Sequence, residues 1–289
     1  MSEMRVLSGL SEISADHDGI ICDVWGVLHN GREPHLKAAE ALRRFRRECG
    51  PVVLLSNAPR LVPTLLKHFE IIGVPTDCFD AIVTSGMAAR NDLIARGREH
   101  GMGRRLKMFH LGPERDRDVF DGLAIDCVAA DDAEIILCTG LFDDEHETPE
   151  DYEAQATDWQ ARGLTMLCAN PDLVVQRGGQ LIYCAGAVAA LYERLGGTVV
   201  YFGKPHPAVY DVTLDSLRRV SGRTITRPLA IGDAMATDLK GANAMGVEAL
   251  FIAHGIHAAE LGEVTGENLS QLFDKAGVRA SAAMRELVW

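Results

Sequence analysis

The sequence predicts an α/β protein, a doubly wound parallel sheet of the Rossmann-like kind whose middle third is either a continuation of that sheet or an inserted second domain. Two observations carry this. Short β-branched, apolar runs alternate with stretches whose apolar residues recur three and four positions apart, the pattern of βαβ units and a parallel sheet. The middle third then changes texture, opening on glycine and basic residues before strands and a helix of its own appear.

In chain order, Ile20–Asp23 is the first expected strand. Leu36, Leu42 and Phe45 mark a helix face after it. The run "PVVLLSN" (51–57) is a second strand, introduced by Gly50-Pro51. Leu61, Leu65, Leu66, Phe69 and Ile72 give the next helix face. Ile82-Val83 starts a third unit, with a helix expected from Gly86 to about Arg98. The stretch "GMGRRLKMFHLGPERDRD" (101–118) reads as a loosened connection. Ile135–Cys138 and Thr165–Cys168 are strands of the middle third, around a helix near 149–162. Thr148 is placed to cap that helix, and Pro149 suits its first position. Val199–Tyr201, Leu229–Ile231 and Ala249–Ile252 are later strands, and Val209, Val212, Leu217 and Val220 lie on a helix between them.

Composition narrows the function. The 289 residues suffice for one large or two moderate domains, and 47% apolar content supports a full core. A formal net charge of −12 disfavours nucleic acid and anionic membranes as general partners. The seven cysteines are scattered, odd in number and without a CxxC pair. They read as reduced cytosolic thiols rather than a zinc site or disulfide framework. No basic-then-apolar leader opens the chain, and no apolar run is long enough to span a bilayer. The expected setting is therefore the cytoplasm.

Four places at or just past expected strand ends could carry chemistry. They are Asp23, Ser56 with Asn57 in "LLSNAPR", Lys204 in "YFGKPHP", and Asp233 with Asp238 in "IGDAMATDLKGANAMG". In a doubly wound sheet the carboxyl ends of neighbouring strands share one crevice, so residues far apart in sequence can meet there. Each alone is ordinary: an Asp after a strand caps a turn, Ser-Asn makes turns, and an acid in a helix's first turn is common. Gathered, they are carboxylates, a hydroxyl and an ammonium. Mg²⁺ takes hard oxygen ligands, a lysine balances phosphate oxygens, and a free carboxylate can attack phosphorus.

This set resembles the haloacid dehalogenase-like (HAD) superfamily of hydrolases. The resemblance spans roughly residues 18 to 256. "VTSGMAAR" (83–90), "ANPDL" (169–173), "CAGAVAALYE" (184–193), "GKPHPAVYD" (203–211) and "IGDAMATDLKGANAMG" (231–246) read like its subfamily IIA, the p-nitrophenylphosphatase-type and pyridoxal-phosphate-phosphatase-type enzymes. It implies a HAD core over residues 1–102 and 199–289 with an inserted α/β cap of C2 type over 103–198. It implies Asp23 as nucleophile and metal ligand, and Ser56 and Asn57 on the phosphate. Lys204 would pair with Asp23 and the phosphate. Asp233 and Asp238 would hold Mg²⁺, with the backbone carbonyl of residue 25 as a further ligand. Asn170 and Asp172 sit where such a cap approaches a substrate. The implied substrate is a small phosphorylated metabolite, and a homodimer is allowed.

One position departs from the pattern. The family's phosphatases read Asp-x-Asp-Gly, and the second Asp is their general acid and base. This chain reads Asp23-Val24-Trp25-Gly26. Indole offers only a weakly acidic N–H donor and no acceptor, so that proton transfer is lost, while the residue 25 carbonyl remains. Such assistance is worth about 10²–10⁴-fold in rate. The expected enzyme is a Mg²⁺-dependent phosphatase, slow or limited to good leaving groups. Weaker alternatives are a phosphate-ligand sensor, a phosphotransferase, and a dehalogenase, whose motif also carries an aromatic there but lacks the acidic pair.

Overall fold

A computed structural model of the chain describes residues 4–99, 104–177, 180–257 and 261–289. Its larger sheet is six-stranded and wholly parallel. It comprises β1 (Gly19–Cys22), β2 (Val52–Ser56), β3 (Ala81–Thr84), β11 (Pro228–Gly232), β12 (Glu248–Ile252) and β13 (Ala282–Met284), in the order β13-β12-β11-β1-β2-β3. β1 and β2 are buried throughout. That explains why they read as continuous apolar runs rather than alternating ones. Helices α1 (Leu36–Glu48) and α2 (Val62–Ile72) cross between its strands, α3 (Ser85–Glu99) follows β3, and α6 (Pro207–Ser221) leads into β11. The face under α1 and α2 is filled by Leu42, Phe45, Leu65 and Phe69, and the α6 face by Val209, Tyr210 and Leu217.

The sheet order reverses between β1 and its neighbours. β1 pairs with β2 on one side and β11 on the other, a topological switch point at whose carboxyl end ligands bind. The Asp23 amide donates to the Ile231 carbonyl at 2.8 Å, carrying the β1–β11 ladder one residue past the strand. That bond fixes the carboxylate at the sheet's edge.

The middle third forms its own sheet. It comprises β4 (Leu106–Leu111), β5 (Ile125–Cys127), β6 (Ile135–Cys138), β7 (Thr165–Cys168) and β10 (Thr198–Tyr201), all parallel in the order β10-β7-β6-β4-β5. Helices α4 (Glu153–Ala161) and α5 (Ala185–Arg194) pack on it through Trp159, Val188, Ala189 and Tyr192. An antiparallel pair, β8 (Val174–Arg177) and β9 (Gln180–Tyr183), extends from this unit toward the first sheet. Thr148 stands at the N-cap of the turn leading into α4, as expected, and its N and Oγ1 donate to Asp151 Oδ2 at 2.7 and 3.1 Å.

Two expectations need correction. The stretch 101–118, read as loosened chain, contains β4, a central strand of the second sheet. Its buried residues Leu106, Met108, His110 and Leu111 flank the exposed Lys107, a mixture that hides a strand among basic neighbours. The expected boundary after residue 198 also moves. Thr198–Tyr201 pairs in register with Thr165–Cys168, so it belongs to the second sheet. A β–α–β crossover returns to the sheet it left, and α5 links β10 back to β7 by way of the antiparallel pair. The other expected boundary, at 102/103, lies outside the described residues. Among the described residues no helix is long and apolar enough to cross a membrane.

Candidate active site

The carboxyl ends of β1, β2 and β11, together with the loop after β10, converge on one cleft of about 300 Å³. Asp23, Trp25, Ser56, Asn57, Asn170, Asp172, Lys204 and Asp233 all line it. Asp238 stands directly behind, bonded to Lys204. Every site residue expected from sequence therefore reaches the same place.

Lys204 is 3% exposed and lies between two acids. Its Nζ donates to Asp23 Oδ1 at 2.5 Å and to Asp238 Oδ1 at 2.8 Å. Asp23, Asp233 and Asp238 each present an oxygen, all within 4.8 Å of one another, and all three are buried. Three carboxylates against one ammonium leave a surplus of two negative charges in a desolvated space, which costs several kcal/mol per ion unless compensated. Burial and the neighbouring Asp238 push the Asp23 carboxyl well above its usual range, against the pull of Lys204. The same two causes raise Asp233 to about 7. Burial alone would depress the Lys204 ammonium, yet Asp23, Asp238 and Asp172 hold it well above its ordinary range. Hard oxygen donors with a double negative surplus fit a divalent cation.

Backbone detail holds these side chains in place. Ile256 N donates to Asp233 Oδ2 at 2.9 Å, and Ala234 N to Asp238 Oδ2 at 3.1 Å. Gly26 sits at φ +87°, and a Cβ there would lie 2.1 Å from Asp233 Oδ2. Only glycine lets the loop after Asp23 turn this close to the third carboxylate. Gly203 is the second such case. At φ +112°, its Cβ would meet Asn57 Oδ1 at 2.4 Å.

Asn57 links the two units. Its side-chain oxygen accepts from Lys204 N at 2.7 Å, and its Nδ2 donates to Asp172 Oδ1 at 3.0 Å and to Lys204 O at 3.1 Å. Asn170 Oδ1 accepts from Asp172 N at 3.1 Å, shaping the loop that carries Asp172. Ser56 Oγ accepts from Ala58 N at 3.1 Å. Ser85, which lies inside the 83–90 motif with no signal of its own, places its hydroxyl 2.7 Å from Asn57 O and 2.6 Å from Ala169 O, so one proton is shared between the two carbonyls. It thereby fastens the Asn57 turn to the second unit.

Trp25 is turned away from proton chemistry. Its Nε1 donates to the Gln176 carbonyl on β8 at 2.7 Å, a bond from the loop after Asp23 to the second unit. His29 packs edge-on against the indole, with ring centres 5.1 Å apart. His29 is 1% exposed, and its Nδ1 accepts from Gly31 N at 2.9 Å. Burial, with His68 and His35 beside it, pushes the His29 imidazolium down to about 3. At neutral pH it is uncharged and does not replace the missing acid. His206 stacks on Tyr201 outside the cleft lining.

Sequence reasoning missed the second unit's contribution to the far wall. Arg115, Asp144, Gln176 and Arg177 line it, facing the core's Arg60 and His68. Asp144 stands in a run that reads as a solvated acidic loop, and its partners lie 29 and 33 residues away. No local signal marks that pairing.

Two descriptions of known families match the chain: "Haloacid dehalogenase-like hydrolase" over residues 20–126 and "HAD-hydrolase-like" over residues 201–273. A solved hydrolase of the haloacid dehalogenase-like family from Brucella suis 1330 is 36% identical. The alignment covers 98% of this chain and 100% of that one, with a TM-score of 0.86. D-glycerol 3-phosphate phosphatase of Mycobacterium tuberculosis (strain H37Rv) is 24% identical over 86% of this chain and 67% of its own. Ribonucleotide monophosphatase NagD of Escherichia coli (strain K12) is also 24% identical, over 83% of this chain and 89% of its own.

Proposed function

The chain belongs to the haloacid dehalogenase-like hydrolases, within subfamily IIA, and we propose that it is a Mg²⁺-dependent phosphatase acting on a small phosphorylated metabolite through an aspartyl-phosphate on Asp23. The observation that carries this reading is the buried cluster of Asp23, Asp233 and Asp238 around the Lys204 ammonium. Related phosphatases act on glycerol 3-phosphate and on ribonucleotide monophosphates, which supports phosphate-ester chemistry here.

In this reading Asp23, Asp233, Asp238 and the Trp25 carbonyl would hold the cation. When bound, it neutralises the carboxylates so that an anionic nucleophile can approach an anionic phosphate. Asp23 then attacks phosphorus. The bond from phosphorus to the ester oxygen breaks, and that oxygen leaves with its electron pair. Lys204 and the Ser56 hydroxyl, with the backbone near Asn57, balance charge on the phosphoryl oxygens. Water then cleaves the acyl phosphate and restores the Asp23 carboxylate. Asn170 and Asp172 present the second unit's edge to the substrate.

No side chain at position 25 can protonate the leaving oxygen, so the leaving group collects its proton from solvent. Turnover is then fastest for leaving groups stable as anions, such as nitrophenolate or a carboxylate from an acyl phosphate. The engagement of the Trp25 N–H with Gln176 also supports a second reading, a protein that binds a phosphorylated ligand and turns it over poorly.

Phosphate release across a metabolite panel, with and without Mg²⁺, tests the proposal, with Asp23→Asn as the blank. The expected result is metal-dependent release that the variant loses by at least about 10³-fold, the scale of removing a nucleophile. Release by Asp23→Asn at the wild-type rate would remove the nucleophile. Tight binding without release selects the second reading.

A further inference from the structure

The acid-and-lysine end of the cleft accounts for one anionic group on a ligand. The opposite wall carries charge that this chemistry does not use. Arg177, at the end of β8, forks onto Asp144 through Nη2–Oδ2 at 2.8 Å and Nη1–Oδ1 at 3.2 Å. Arg115 donates to the same Asp144 Oδ2. Two guanidiniums thus share one carboxylate, and all three residues line the cleft. Glu145 is 3.8 Å from Arg177 but does not line the cleft.

A tie between loops is complete with one arginine per acid. Arg60 in the same cleft shows that arrangement, since Asp116 answers it singly at 2.7 Å. Along this wall of the cleft three guanidiniums, Arg60, Arg115 and Arg177, therefore face two acids, Asp116 and Asp144, and the third acid, Glu145, answers Arg177 from a solvent-exposed position off the lining, where water screens it. His68 adds no charge to this wall at neutral pH. Burial and the fields of Arg60 and Arg177 hold its imidazolium below its usual range, and its Nε2 has no hydrogen-bond partner among the described residues. The surplus is also held in position. Trp25 anchors the carbonyl of Gln176, the residue before Arg177, so the wall is tied to the loop that carries Asp23.

We propose that Arg177 and Arg115 form a second anion subsite, so that the preferred substrates are small phosphate monoesters carrying another oxyanion, a carboxylate or second phosphate, at the far end. This rests on the phosphatase reading and narrows its substrate class. A guanidinium presents a planar fork of donors matched to either oxyanion. A cleft of about 300 Å³ holds a small ester bridging both ends.

The test is kcat/KM for phosphate release from esters of matched length ending in a hydroxyl, a carboxylate or a second phosphate. Wild type is expected to prefer an anionic end at least tenfold, expressed mainly in KM, and the two anionic ends distinguish which oxyanion is taken. Arg177→Met and Arg115→Met should each cut that preference at least fivefold. A misfolded fraction lowers all rates alike, so the ratio reads the subsite itself. A wild-type ratio near one, or a ratio unchanged in both variants, overturns the proposal. If wild type releases phosphate from none of the esters, the phosphatase reading fails on its own. Calorimetric titration with the carboxylate-ended ester then decides the subsite. Binding weakened at least fivefold in Arg177→Met supports it, and equal binding overturns it.

Discussion

The two ends of the cleft are built by different rules. The core end is buried, and its acids and lysine stand at or just past the ends of β1, β10 and β11, where ladder hydrogen bonds fix the backbone. The second unit's end uses Arg115, Asp144 and Arg177, which lie at element ends and in loops and hold one another by ion pairs across the wall. A rigid, dry site suits chemistry that every substrate undergoes, whereas a partly solvated wall can vary without disturbing it. Trp25 belongs to both, since its backbone follows Asp23 and its side chain ties down β8.

If the core end works as a charge-balanced unit, removing its one cation has the largest effect. Lys204→Met leaves Asp23 and Asp238 without their buried partner. The expected loss is about 3–5 kcal/mol of stability in metal-free protein, with phosphate release abolished. Urea unfolding checks the stability, and a loss under about 1 kcal/mol would separate the ion cluster from the fold. Trp25→Asp comes next. It restores an acid and should raise turnover of alkyl phosphates by up to about 10²-fold, and that of p-nitrophenyl phosphate far less. Steady-state kinetics on both esters decides this, and equal gains would sink the missing-acid account.

The smallest expected effect is a pH dependence. Asp233 is raised to about 7 in the folded, metal-free protein, against an ordinary value of 3.8. Between those values the folded state binds the extra proton, so metal-free stability falls as pH rises from about 4 to 7. A bound cation needs the carboxylate and competes with that proton. Mg²⁺ should therefore raise the melting temperature more at pH 8 than at pH 6, as scanning calorimetry can measure. An equal rise at both would take Asp233 out of the metal site.

Much of the core end was legible in the sequence because strand periodicity and motif spacing are local signals. The carboxylate after β1, the Gly203-Lys204 turn and the Asp233/Asp238 pair could each be read within a dozen residues. Trp25 was legible as a departure but not as a tether, because its acceptor is a backbone carbonyl 151 residues away. Strand β4 was hidden by glycine and arginine beside it, and β8 and β9 by mixed, half-exposed residues. The β10 sequence reads as a strand but does not record which neighbour it pairs with, so its place in the second sheet emerges only in the fold. The arginine pair on Asp144 arises only when three separate segments fold together.

In the proposed reaction Asp23 carries the phosphoryl group with no acid at position 25 to speed its passage. Rapid quenching of the enzyme and Mg²⁺ with a substrate labelled in its phosphoryl group measures this directly. Label is expected bound covalently to the peptide containing Asp23, lost to hydroxylamine, and absent from Asp23→Asn. Phosphate released at the wild-type rate with no labelled protein at any quench time would contradict it.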